Sequence, residues 1–192
     1  QDIEHLQKIY EDYMVEKLYD ISNSFFTRRD SKNLRHTLRN RFIYSTFDLE
    51  FLKVNSIIAQ RDIKKRLKRF GVTAEEIEDK TILDIGSNIG SILLELVKWN
   101  PKKALGVEYD EDKVEVSNVI RNLHFKNKPL NFVQADVEDK GFWKNLDEAF
   151  QTVFCLAVIG HLKNKEEFFE RLSKLCLETL YFEGNSESEK EF

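Results

Sequence analysis

Ten residues, Thr81-Ile-Leu-Asp-Ile-Gly-Ser-Asn-Ile-Gly90, carry the most chemically directed spacing in the chain. An apolar run ends on an acid, Asp84, and passes at once into a turn bounded by Gly86 and Gly90. Gly86 permits a tight turn, and Gly90 lets a following helix approach its strand closely. A turn built to hug a pyrophosphate needs glycines at 86, 88 and 91; this chain has Asn88 and Ser91 there. Asp84 at the strand end repels a pyrophosphate and attracts an ammonium group. The expected ligand therefore carries a cation and is neither NAD nor FAD.

Two more acids stand at comparable places. Glu108 comes 24 residues after Asp84, at the end of Leu-Gly-Val-Glu-Tyr-Asp, where an acidic side chain can accept both ribose hydroxyls. Asp136 closes Phe-Val-Gln-Ala-Asp, and Val107, Tyr109 and Val137 can flank a flat base. Each acid singly looks like a helix N-cap or a surface charge. Three at consecutive strand ends look like a site. A fourth apolar run ends in Cys-Leu-Ala-Val-Ile-Gly-His161-Leu. By itself His161 reads as a residue that caps or packs the next helix. No His/Cys/Asp/Glu cluster has metal-ligand spacing, so no metal is expected.

The elements that must hold these residues follow from periodicity. Thr81–Ile85, Ala104–Val107, Asn131–Val133, Thr152–Ala157 and Thr179–Phe182 read as short strands. Ile92–Trp99, Asp112–Phe125, Gly141–Phe150 and Glu166–Leu177 read as the helices between them. Such alternation predicts an α/β domain, a parallel sheet with helices on both faces, with ligands beyond the C-terminal strand ends.

The Asp-x-Gly-x-x-x-Gly spacing of Asp84, Gly86 and Gly90, with Glu108 and Asp136 behind it, resembles motif I and its companions in class I methyltransferases that use S-adenosylmethionine (SAM). The resemblance covers roughly residues 55–192. It implies a Rossmann-like fold, SAM as cofactor and S-adenosylhomocysteine as product. It also implies cofactor contacts from Asp84, Gly86, Ser87, Asn88, Gly90, Glu108, Tyr109, Asp136 (near the adenine amino group), Val137 and Cys155. The loop with His161 would lie beside the reactive methyl, which would make His161 a general base for a hydroxyl or phenol acceptor. Gln60-Arg61 resembles a Gln-Arg or Asn-Arg element ahead of motif I in some relatives, where Arg61 pairs with the cofactor carboxylate; its other reading is one more charge on a basic helix. The family fold ends in a hairpin after the fifth strand, so the C-terminal strands are expected to be short or missing here.

Before residue 79 the pattern differs. Ile3, Leu6, Ile9, Tyr10, Tyr13, Met14, Leu18 and Ile21 recur at helical steps over Asp2–Ser22. Residues 27–56 suggest turns and short helices, Ile58–Phe70 a helix closed by Gly71, and Thr73 with Glu76 a capping box. Residues 1–78 are thus expected to form a helical extension, a lid near the cofactor mouth, and residues 79–192 the SAM-binding core.

Charge is segregated between the two. From Thr27 to Phe70 there are 13 Lys/Arg against 4 Asp/Glu, a balance of +9, which leaves −13 elsewhere in a chain of 192 residues with net charge −4. A small-molecule or sugar acceptor is the leading expectation. RNA recognised through basic residues 28–69 is the alternative, with a modified SAM transferring another group to transfer RNA, or a non-catalytic SAM-fold protein, beside it. No apolar run is long enough to span a bilayer. Two cysteines in apolar stretches point to a reduced, cytoplasmic setting.

Overall fold

The computed structural model describes residues 2–29, 42–146 and 148–184. Residues 30–41 of the basic segment and the tail 185–192 lie outside the described residues. The chain divides into two compact units, Gln1–Gly71 and Val72–Phe192, so the change of unit falls ahead of the expected 78/79 boundary.

In the first unit, helix α1 (Asp2–Arg29) runs past the expected end at Ser22. Met14, Leu18 and Ile21 on its stripe are buried, and α1 packs on strands β1 (Ile43–Ser45) and β3 (Leu52–Val54). Ile3, Leu6, Ile9 and Tyr13 on the same stripe are exposed. The stretch expected as turns and short helices holds strands instead, among its described residues. β2 (Phe47–Leu49) forms a hairpin with β3, and β1 pairs in parallel with β4 (Ala59–Arg61). Inward residues alternate (Ile43 and Ser45, Phe47 and Leu49, Leu52 and Val54), but each strand is too short for the period of two to stand out in sequence. The helix expected from Ile58 is shorter for the same reason: β4 takes 59–61, and α2 spans Ile63–Arg69. Asp62 caps α2, accepting from Lys65 N at 3.0 Å. Gly71 follows at φ +70°, the left-handed residue expected after the helix.

The second unit is a five-stranded parallel sheet in the order β7-β6-β5-β8-β9. Its strands are β5 (Thr81–Ile85), β6 (Lys103–Glu108), β7 (Leu130–Gln134), β8 (Phe150–Leu156) and β9 (Cys176–Glu183). Helices α3 (Ser91–Leu96), α4 (Glu111–His124), α5 (Lys140–Asn145) and α6 (Lys165–Leu175) connect them. All five strands and all four helices fall where the alternation put them, with ends moved by a few residues. The exception is the stretch after Asn145, where the predicted helix gives way so that Phe150 begins β8.

Leu83, Ile85, Val107, Val153 and Cys155 form a core on one sheet face with Phe168 and Leu172 of α6. On β8 and β9, Phe154 stacks on Tyr181, with ring centroids 4.8 Å apart. Tyr181 Oη also donates to Glu76 at 2.5 Å. Burial, then the Glu76 carboxylate, push this phenol well above its usual range. Residue 76 therefore belongs to the sheet unit. Thr73 N donates to Glu76 at 3.2 Å, the reciprocal bond of a capping box, and opens the 3-10 turn Ala74–Glu76.

Candidate cofactor site

The strand order reverses direction at β5, whose neighbours are β6 on one side and β8 on the other. Chains leaving β5 and β8 at their carboxyl ends turn to opposite sides, and a crevice opens there in such sheets. The turn Gly86–Gly90 lies at that point. Gly86 has φ +73° and Gly90 φ +74°. A Cβ on Gly86 would stand 2.4 Å from Val158 Cγ2, in the loop after β8, so this turn fits only without a side chain. A Cβ on Gly90 would stand 2.7 Å from the Phe132 ring and 2.9 Å from Ser117 Oγ. The second glycine thus lets the start of α3 close on β7 and α4.

The turn is tied to the end of β6. Gly86 N and Ser87 N both donate to Val107 O, at 2.8 and 3.0 Å. Asn88, at φ +51°, donates its backbone N–H to Glu108 Oε2 at 2.8 Å, and Asp110 N donates to Glu108 Oε1 at 3.0 Å. Glu108 is half-buried. Each of its oxygens holds one backbone N–H and keeps a second lone pair for an outside donor. Ser87 is 5 % exposed, and its Oγ is buried without a hydrogen-bond partner among the described residues. Asp110 is the N-cap of α4, accepting from Asp112 N at 3.1 Å.

Asp84 is 2 % exposed at the end of β5. Cys155 has no exposed surface and lies within the core cluster. Burial first, then the Asp84 charge, push its thiol up to about 12. The sequence reading grouped Cys155 with the cofactor contacts; in the structure its side chain packs among Leu83, Ile85 and Val153. Tyr109 is exposed, and its carbonyl accepts from Gln134 Nε2 at 3.1 Å. Asp136 is exposed; its Oδ1 accepts from Glu138 N at 2.8 Å, an Asx turn. Val137 is half-buried, its carbonyl accepting from Trp143 Nε1 at 2.6 Å.

The loop after β8 carries a feature that the sequence did not suggest. Ala157 sits at φ +61°, a conformation that an L-residue with a Cβ adopts at a cost of roughly 1–2 kcal/mol. Its N–H is held by Glu183 O at 2.7 Å. Beyond it, Ile159–His161 form one 3-10 turn with His161 exposed. Glu138, two residues after Asp136, fastens this loop by accepting from Lys163 N (2.7 Å) and Asn164 N (3.0 Å). The Asn164 N–H, with that of Lys163, holds its carboxyl below the usual carboxylate range. Glu138 bonds backbone rather than side chain, so no residue spacing announces it.

Arg61 belongs to the first unit, on β4 opposite Ser45. It is half-buried, and its Nε is buried with no hydrogen-bond partner among the described residues. No group of His, Cys, Asp or Glu among the described residues is arranged to hold a metal ion.

SAM can be tested against these residues by chemistry alone. Between Asp84 and Ser91 there is no cation, and acids close β5 and β6. That set suits a cofactor with an ammonium and a ribose, and opposes one with a pyrophosphate. The buried, unpartnered Ser87 hydroxyl adds a polar group with capacity to spare. The residues fit.

Sheet order, glycine turn and strand-end acids define a class I, SAM-dependent methyltransferase domain. A family model described as "Methyltransferase domain" matches residues 56–183, and the chain belongs to that family. Among relatives, it is 28% identical over 122 residues to the tRNA U34 carboxymethyltransferase of Nautilia profundicola, covering 58% of this chain and 38% of that protein. Against the protein of the same name from Campylobacter jejuni subsp. doylei the figures are 29% over 119 residues, 58% and 39%. The mitochondrial ubiquinone biosynthesis O-methyltransferase of Dictyostelium discoideum is 25% identical over 105 residues, 52% and 32%. The chain thus spans about two fifths or less of the length of these curated relatives.

Among solved structures, WbdD superposes with a TM-score of 0.60 at 18% identity, covering 83% of this chain and 37% of that one. The N-terminal domain of EvdMO1 with SAH bound gives 0.54 at 19%, covering 77% and 62%. These likenesses are of fold. The SAM expectation agrees with the family and with SAH in such neighbours. No described helix is long and apolar enough to cross a membrane.

Proposed function

We propose that the second unit binds SAM at the β5–β6–β8 strand ends and presents its methyl, or a modified equivalent, to an acceptor. The observation that carries this is Glu108, a carboxylate fixed by the backbone of Asn88 and Asp110 with lone pairs left for two ribose hydroxyls. Asp84 would meet the ammonium end, while Ser87 and Asn88 line the turn. Tyr109 and Val137 would flank the adenine, and Asp136 its amino group. SAM supplies an already activated sulfonium methyl, so this chain's task is alignment of the acceptor and exclusion of water. His161, exposed on its 3-10 turn, would take the acceptor proton where one must leave; removing a true general base costs about 10²–10⁴ in rate. Residues 1–78 would serve as an extension to this core.

For the acceptor, the relatives move the reading away from the small molecule or sugar expected first. The tRNA U34 carboxymethyltransferases favour a nucleotide in RNA. The Dictyostelium O-methyltransferase keeps the hydroxyl of a small molecule as the second reading.

Calorimetry on the full chain tests the cofactor step. SAM and SAH should bind with Kd of order micromolar, about −8 kcal/mol. Binding of NAD with none of SAM would overturn it. Transfer of label from methyl-labelled SAM to bulk tRNA, but not to catechols, would support the RNA acceptor; the reverse result would replace it with the second reading.

A further inference from the structure

The first unit contains a cleft of about 230 Å³ lined by Gln60, Arg61, Asp62, Lys65, Arg66 and Arg69. Gln60 and Arg61 come from β4, and Lys65, Arg66 and Arg69 from one face of α2, at helical spacing. The lining of the cleft holds four cations and one acid. Asp62 is committed to the helix start, with Oδ1 on Lys65 N and Oδ2 3.5 Å from Lys65 Nζ. Arg66 is 6 % exposed, an unusual depth for a guanidinium, and Arg61 Nε is buried without a hydrogen-bond partner among the described residues. An N–H desolvated without an acceptor costs free energy, which is recovered if an acceptor reaches it.

Size and charge together choose the ligand. The cleft is smaller than the roughly 300 Å³ at which pockets for whole small molecules begin, so it suits one compact group. A carboxylate brings one negative charge. A phosphate monoester brings about −1.5 to −2 at pH 7 and three strong acceptor oxygens, which Arg forks meet bidentately. We propose that this cleft binds the phosphate monoester group of a substrate or partner. The assignment is independent of which group the second unit transfers.

The test is calorimetric titration of the full chain with inorganic phosphate in chloride buffer. One saturable site is expected, weakened at least about tenfold by Lys65→Glu and by Arg69→Glu, each of which removes a lining cation. Lys68→Glu makes the same charge change on the same helix but outside the lining, and should shift affinity less than about threefold by screened long-range attraction alone. Circular dichroism keeps unfolded variants from counting. Absence of saturable binding, or equal losses in Lys65→Glu and Lys68→Glu, overturns the proposal. So does displacement of phosphate by SAH, which would make the cleft a carboxylate site. Competition by an RNA oligonucleotide without terminal phosphates, matching that of a sugar phosphate, would overturn the monoester in favour of backbone diesters.

Discussion

The carboxyl ends of β6 and β7 each carry an acid, and the two are built differently. Glu108 is half-buried, and its two oxygens hold backbone N–H groups from different segments, Asn88 in the turn after β5 and Asp110 at the start of α4. Asp136 is exposed, and its carboxylate takes the N–H of Glu138 within its own turn. One acid is positioned by a contact spanning 20 residues of sequence as well as one within its own turn, the other by its own turn alone. Charge-assisted bonds to buried backbone are worth more than those made in water. A ligand meeting Glu108 would find an acceptor already oriented, whereas one meeting Asp136 would have to displace water and order the side chain.

The largest break comes from the turn that Glu108 braces. Gly86→Val adds a Cβ 2.4 Å from Val158 Cγ2 at φ +73°. Strain and overpacking together should cost about 3 kcal/mol, read as a lower urea midpoint, and should abolish SAM binding. A midpoint equal to wild type would mean that the turn is not held as described.

Next, Glu108→Ala should weaken SAM by about 100-fold, two charge-assisted bonds of roughly 1.5 kcal/mol each. Glu108→Gln should fall between, since an amide keeps one acceptor. Asp136→Ala should cost only about threefold, and no more than about 0.5 kcal/mol in stability, because its carboxylate is solvated. Equal losses from both alanine variants would erase the difference between the two strand ends.

The smallest effect is at β8. Cys155, with its thiol pushed up to about 12, should react with a thiol reagent much more slowly than the half-buried Cys176, with or without SAH. Because its folded pKa lies above the unfolded value of about 8.5, the stability it contributes is complete below that pH and is lost as pH rises toward 12. Strong protection of Cys155 that appears only with SAH would place it among the cofactor contacts.

Much of the second unit was legible because its signals are local. Apolar runs four to eight residues long mark strands buried on both faces, and Gly86 and Gly90 mark a turn whose φ values few other residues tolerate. In the first unit the same reading failed between 43 and 61. Strands of three residues give no readable period, and a parallel pair such as β1 with β4 joins segments that show no sign of each other in sequence.

The sequence by itself determined the α/β alternation, the acids at successive strand ends and the exclusion of a pyrophosphate turn, because each depends on residue type at short spacing. Tertiary structure decided the rest. It distinguished Glu108 from Asp136, put Cys155 in the core, recruited Glu138 to hold the loop after β8, and closed four cations around one cleft. The reason is physical. Burial and backbone hydrogen bonding are set by which segments meet, and segments meet through the summed packing of distant side chains, which no local spacing encodes.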